Sequence, residues 1–395
     1  MPQSKDSDEV SAPENALLHG VKVLDFTSLL PGPFATSVLA DLGADVIKVE
    51  PLGGEFGRQF PTRMFDMANR NKRAISLNLK NPASRPVIER LVRWADIAAE
   101  GFRPGVADRL NIGPTQLREI KPELVYCSLS GYGQTGPWRD WPGHDGNYLA
   151  AAGALSYKGH WNDQHPRRSG IPIADLAGGS YMAISALAAL MRARSTGQGA
   201  TIDLSLTEAA MSMMSVRNGL EPGTPERLHL QPTNDLFETA DGRIIAIGIV
   251  EDHFWQGFAA AAADLDEELS DQRFQTEPKR REHGDELSER MQAAMIQRSA
   301  SEWLDLFAQH DVPGQLILTP HEATESEQAK SRGIVQDLDG QRHFPFPAIV
   351  DGIPQGQLRS VAPELGQNDP DILAELGFSS TEIKSLSDEG AFRKR

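Results

Sequence analysis

The feature that most constrains this chain is the alternation of strand and helix signals through its first two hundred residues. Residues 21–26 (VKVLDF) and 45–50 (DVIKVE) read as apolar strands. Between them residues 33–42 read as a helix, opened by Pro31-Gly32-Pro33 and closed by Gly43, the expected order of proline first and glycine last. Residues 73–79 (RAISLNL) alternate as a third strand. Residues 82–95 carry Val87, Ile88, Leu91, Val92 and Trp94 at helical spacing. Further strands are expected at 96–100, 124–129 and 200–204, with helices at 114–120, 174–194 and 205–214. Strands separated by helices of this length pair in parallel. The expected fold class is α/β, with a mostly parallel sheet built from βαβ units.

The texture then changes. Residues 219–233 are rich in proline, glycine and charge and read as a linker. Residues 236–239 and 243–249 flank Asp241-Gly242 as a hairpin, and helical segments follow. Residues 234–325 are therefore expected to form a smaller α+β domain. The large domain is expected over 16–218, after a disordered lead-in at 1–15. Within the return segment, 326–395, residues 345–355 are irregular, and two short helices meet at Gly377-Phe378 with Ser379 or Ser380 as N-cap.

Charge and cysteine usage narrow the function class. The formal net charge is −16, which argues against nucleic acid and anionic membranes as partners. No apolar run reaches 18 residues, so no membrane span is expected. The N-terminus has neither a secretory nor a transit pattern. The one cysteine, Cys127, lies in an apolar strand and reads as a packing residue, which suits a reducing, cytoplasmic compartment. One basic island, Arg58, Arg63, Arg70, Lys72, Arg73 and Lys80, is accompanied only by Asp66. It could be a solvated face or a phosphate-binding edge.

Three residues carry the parts for proton transfer. His144 sits in a Gly-His-Asp turn, Asp175 opens a helix before Gly178-Gly179, and Glu251 follows the hairpin. Each has a plain structural alternative: a packing histidine, a helix-capping aspartate and a helix-start acid. Gly131, Gly133 and Gly136 form a literal G-x-G-x-x-G, but Pro137, Trp138 and Pro142 prevent the helix that a dinucleotide loop needs. His160 and His165 lack the spacing of a zinc site, and no metal is expected.

These blocks together resemble the family III CoA-transferase superfamily, the CaiB/BaiF-like group that includes formyl-CoA transferase, carnitine CoA-transferase and α-methylacyl-CoA racemase. The resemblance spans about residues 18–390. It is carried by VKVLDFTSLLPGPFATSVLADLGADVIKVEP, NRNKRAISLNLKNP, GFRPGVADRLNIG, GYGQTGP, GIPIADLAGG, RSTGQGATIDLSLTEA, TADGRIIAIG and PELGQNDPDILAELGFS. It implies a large doubly wound α/β domain over 16–218 completed by 335–395, with the small domain between, and an interlocked homodimer acting on an acyl-CoA, with no cofactor beyond the CoA of the substrate. It implies CoA contacts from Leu29, Leu30, Leu77, Lys80, Phe102, Arg103 and Arg109, with Arg73 from the basic island. Many members have arginine where this chain has Pro51, so Lys48, Arg58 or another basic residue would replace that phosphate contact.

The resemblance also gives Asp175 two possible roles. Transferases use an aspartate there as the nucleophile, and racemases use it as an acid/base opposite a histidine in G-H-D-x-N-Y. This chain has GHDGNY and Glu251, as racemases do, while Ile171 in GIPIADLAGG is transferase-like. The favoured expectation is epimerisation of 2-methylacyl-CoA thioesters. His144, polarised by Glu251, and Asp175 would act on opposite faces. Helix N–H groups after Asp175 would stabilise the enolate, and Gly178 and Gly179 would let the thioester approach. CoA transfer and non-catalytic CoA binding are the alternatives. Met211–Met214 could line an acyl pocket, although a packed helix is the preferred reading of that stretch.

Overall fold

Every neighbouring pair of strands in the main sheet is parallel. Its strands are β1 (Lys22–Phe26), β2 (Asp45–Glu50), β3 (Arg73–Ser76), β4 (Ile97–Glu100), β5 (Val125–Ser130) and β6 (Ala200–Ser205), in the spatial order β3-β2-β1-β4-β5-β6. The crossovers carry α1 (Pro31–Asp41), α2 (Met64–Asn69), α3 (Arg85–Trp94), α4 (Val106–Arg109), α5 (Pro114–Ile120), α6 (Asp145–Ala151) and α7 (Ile173–Thr196), and α8 (Leu206–Met214) follows β6. The computed structural model describes residues 12–163, 168–217, 221, 223–225 and 227–393. Most of the expected acidic lead-in, His165 and parts of the linker lie outside these residues.

Helices on both faces explain why the central strands read as apolar runs rather than alternating ones. Every residue of β4 and β5 is buried. Leu24, Ala98 and Tyr126 of the sheet pack with Ile88 and Leu91 of α3 and with Ile372 and Leu373 of the helix Asp369–Glu375. Helix α7 packs on α1, β5 and β6. Among the described residues it is the one helix long and apolar enough to cross a membrane by those two measures, and its contacts make it a covering helix of the sheet.

The third strand is shorter than its alternation predicts. It ends at Ser76, and the Leu77 N–H turns to the Glu50 carbonyl at 2.7 Å. Its outer edge is covered by the returning chain: Ala74 N–H donates to Asn368 Oδ1 at 3.0 Å and Ser76 N–H to Asp369 Oδ1 at 2.8 Å. An edge so covered cannot template pairing with another chain. Ser379 is the N-cap of the last helix, Ser380–Asp388, in a capping box with Glu382.

Contacts divide the described chain into two units. The first draws on Met1–Ala152, Ser169–Met213 and Glu327–Arg395, and the second on Gly153–Arg168 and Met214–Ser326. The sequence expectation counted 153–168 with the large domain. Its anchors lie in the second unit instead. Trp161 Nε1 donates to Asp285 at 2.8 Å, and Asp235 accepts the Trp161 N–H at 2.7 Å and pairs with His160 Nδ1 at 2.6 Å. The second unit has an antiparallel sheet β7-β8-β9, with β7 (Asn234–Glu238), β8 (Ile244–Gly248) and β9 (Gly314–Leu316). Its core is aromatic. Trp255 and Phe258 of α9 (Asp252–Ala261) stack on one another, and Phe258 stacks on Trp303.

Candidate active site

In an open parallel sheet, the loops at the carboxyl ends of the strands part where the strand order reverses, and a ligand crevice opens there. Here the order reverses between β1 and β4. The flanking loops are those after Phe26, with Leu29 and Leu30, and after Glu100, with Phe102 and Arg103. Both are held by buried carboxylates. Asp25 accepts from the Thr27 N–H at 2.9 Å and from the hydroxyls of Thr27 and Thr36, and pairs with Lys72 at 3.0 Å. Burial alone would raise the Asp25 pKa, but Lys72, Lys48 and the two hydroxyls outweigh it and hold the group well below the usual carboxylate range. Burial pushes Lys72 down to about 8, with Asp25 opposing. Glu55 Oε2 accepts the Leu29 N–H at 2.7 Å, and Glu100 Oε2 accepts the Phe102 N–H at 2.7 Å.

The glycine-rich loop leaves β5 and runs without a helix to Asp145, so no dinucleotide-type helix start exists there. Its conformation is set by two close approaches and two turns. A Cβ on Gly131 would lie 2.5 Å from Tyr148 Cε1, and one on Gly143 would lie 2.6 Å from it. Gly133 and Gly136 have φ +89° and +84°, which glycine adopts without strain. Asp203 of β6 receives the Gln134 N–H, and the Gly131 carbonyl accepts from Thr207 and Ser205.

This loop delivers His144 as the exposed N-cap of α6, with its N–H on Asn147 Oδ1 at 3.0 Å. The next residue, Asp145, is buried. Its Oδ1 accepts the N–H of Ala174 at 2.8 Å and of Asp175 at 3.4 Å. One carboxylate therefore caps α7 and ties the start of α6 to the start of α7. This junction joins the segments bearing His144 and Asp175. Its second oxygen, Oδ2, is buried with no hydrogen-bond partner among the described residues. Half-buried Asp175 lies on the first turn of α7, where the helix dipole favours an anion. The Tyr148 phenol feels the whole group. Burial first, then the charges of Asp175 and Tyr132, push it up to about 12, while Arg103 opposes them. That influence links the loop after β4 electrostatically to the His144–Asp175 junction.

Glu251 belongs to the second unit, exposed at the N-cap of α9. Gly178 and Gly179 are packing residues: added Cβ atoms would lie 2.2 Å from Leu206 Cδ2 and 2.6 Å from the Pro31 carbonyl. The first-turn N–H groups of Ala174, Asp175 and Leu176 already go to Asp145 and to the Pro172 carbonyl, so they are not spare enolate donors. Met211 and Met213 of α8 are exposed rather than packed.

The basic island is largely internal. Arg58 grips Glu50 with two nitrogens, at 2.7 and 2.6 Å, Arg70 pairs with buried Asp41, and Lys72 with Asp25. Lys48 is fully buried, so neither it nor Arg58 can replace the phosphate contact missing at Pro51. Arg73 binds Asp45 and Glu375 at the amino end of β3, opposite the crevice, and the Leu77 side chain is wholly within the core. Neither side chain is placed to reach a ligand in the crevice. Lys80, Arg103 and Arg109 are exposed, with no ion-pair partner among the described residues. Sequence reasoning noted Asp145 only as a carboxylate beside His144 and missed Glu55 and Glu100, because a buried acid that holds a backbone amide looks like any other acid in a string of letters.

A family model described as CoA-transferase family III matches residues 18–369. The alpha-methylacyl-CoA racemase of Homo sapiens is 30% identical over 389 residues, covering 94% of this chain and 96% of the relative. The acetyl-CoA:oxalate CoA-transferase of Acetobacter aceti is 31% identical over 379 residues, covering 92% and 96%. The crystal structure of a CAIB/BAIF family protein from Brucella suis superposes with a TM-score of 0.82 at 28% identity, over 92% of this chain and 100% of that one.

Proposed function

The chain belongs to CoA-transferase family III, and from that premise we propose that it epimerises the α-carbon of 2-methylacyl-CoA thioesters. The observation that carries this reading is the Asp145 bridge, which joins the turn bearing His144 to the helix start bearing Asp175. A thioester carbonyl acidifies the α-proton by taking its charge into an enolate. Neutral His144 removes the proton from one face, and protonated Asp175 delivers one to the other. The reverse reaction starts from imidazolium and carboxylate. Each such group contributes roughly 10²–10⁴-fold. Lys80, Arg103 and Arg109 pair with the CoA phosphates through charge-assisted hydrogen bonds. The reaction needs no cofactor beyond the CoA of its substrate, and the working form is an interlocked homodimer.

The second reading is CoA transfer with Asp175 as nucleophile. It is favoured by Ile171 in GIPIADLAGG and by a transferase relative as similar as the racemase one. A 2-methylacyl-CoA incubated in deuterated water separates the two. Deuterium at the α-carbon without any added acid is expected, and His144→Ala is expected to slow its entry by about 10²–10⁴-fold. Full exchange by His144→Ala, or acyl exchange that requires a free acid, rejects epimerisation.

A further inference from the structure

The turn at residues 27–29 is gripped by a buried ion pair that no solvent-facing role explains. Lys48 Nζ of β2 donates to the Thr27 carbonyl at 3.0 Å and lies 3.0 Å from Glu55 Oε1. Glu55 Oε2 then accepts the Leu29 N–H at 2.7 Å and the Gly57 N–H at 3.4 Å. The clamp is anchored from behind, because the Glu55 N–H goes to Glu50 Oε2 at 3.1 Å and Arg58 holds Glu50. Asp25 completes it by taking the Thr27 N–H. Thus Thr27 is fixed at its amide and its carbonyl, and Leu29 at its amide.

The held conformation is an unfavourable one. Leu29 has φ +66°, in the left-handed region that a residue with a side chain keeps only when its surroundings hold it there. Lys48 is 0% and Glu55 5% exposed. A buried ion pair is a weak source of stability, since apolar residues of similar volume often replace one without loss. Its better-attested use is to specify a conformation. The conformation specified here is that of the loop lining the crevice between β1 and β4, on the β1 side.

We propose that Lys48 and Glu55 are positioning residues for the acyl-CoA substrate, acting through the Thr27 carbonyl and the Leu29 amide to hold the β1 loop in the shape that receives the CoA portion. This rests on the reading that the crevice takes a CoA thioester. Neither residue touches the substrate, so changing them weakens binding and leaves the chemical step intact.

The test measures CoA affinity by calorimetry, KM and kcat with a 2-methylacyl-CoA, and thermal melting. Glu55→Ala removes the clamp. The double variant Lys48→Met/Glu55→Leu removes both charges and both hydrogen-bonding groups without leaving a charge buried and unpaired. Loss of a charge-assisted hydrogen bond predicts a rise of about tenfold or more in Kd for CoA and in KM, with kcat within about threefold. A double variant that melts like the wild type and binds CoA equally well overturns the proposal. So does a fall in kcat at unchanged KM. Wild-type protein that does not bind CoA overturns the crevice reading itself, and the proposal with it.

Discussion

Glu100 shows how much a single side chain's surroundings decide. It ends β4 beside the crevice, 3% exposed. Burial pushes its pKa up to about 7, Asp108 and Asp203 push the same way, and hydrogen bonds from Ser128 and the Phe102 N–H only partly oppose them. A carboxyl raised in this way favours folding fully below its ordinary value near 4.5, and that contribution is lost as pH rises through about 7. Glu100→Gln keeps an oxygen for the Phe102 N–H and removes the charge. It should therefore stabilise the protein by about 1–3 kcal/mol near pH 8 and little near pH 5, read from urea unfolding at both. An unchanged fall in stability between those pH values would show that Glu100 is not its source. Cys127 illustrates a residue whose role was legible. Its apolar strand setting predicted packing, and it is fully buried, with burial first and Glu100 second pushing its thiol up to about 12. The basic island illustrates the opposite, because Arg58, Arg70 and Lys72 take their meaning from acids up to 47 residues away.

At the scale of elements, helix α7 does two jobs that its sequence only half declares. Its length and apolar character were readable, and so was Asp175 in its first turn. Its cap was not, because the acceptor is Asp145, 29 residues before the Ala174 amide it receives. The glycine pair after Asp175 suggested room for a ligand, yet it gives α1 and Leu206 room to pack. Gly179→Ala would press a methyl group against the Pro31 carbonyl and the Phe34 ring, 2.6 and 2.7 Å away. Overpacking of that kind should cost about 1–3 kcal/mol in urea unfolding and shift α1, which begins at the crevice. A variant as stable as the wild type would mean that α1 and α7 separate freely. The same comparison explains α6. Pro137 and Pro142 correctly ruled out a helix in the glycine loop, but no local pattern announced the short helix that starts at Asp145.

At the scale of the molecule, the proposed interlocked homodimer makes a kinetic claim. Light scattering should give twice the chain mass. Tagged and untagged dimers mixed after purification should not exchange subunits until they are unfolded, because linked rings cannot part while folded. Exchange under native conditions would replace the interlocked dimer with an ordinary one. The alternation of strand and helix signals was enough to determine a parallel α/β sheet, since helix caps and apolar periodicity are local and each is complete within a few residues. It was enough, too, to bring His144 and Asp175 forward as candidates. Only the tertiary structure decided the order β3-β2-β1-β4-β5-β6 that locates the crevice, and which charges face it. Those outcomes depend on pairings between residues tens to hundreds of positions apart, such as Asp145 with Ala174 and Arg58 with the Pro363 carbonyl. Whether a buried charge meets its partner is settled when the chain packs, and one stretch of sequence holds only half of each pair.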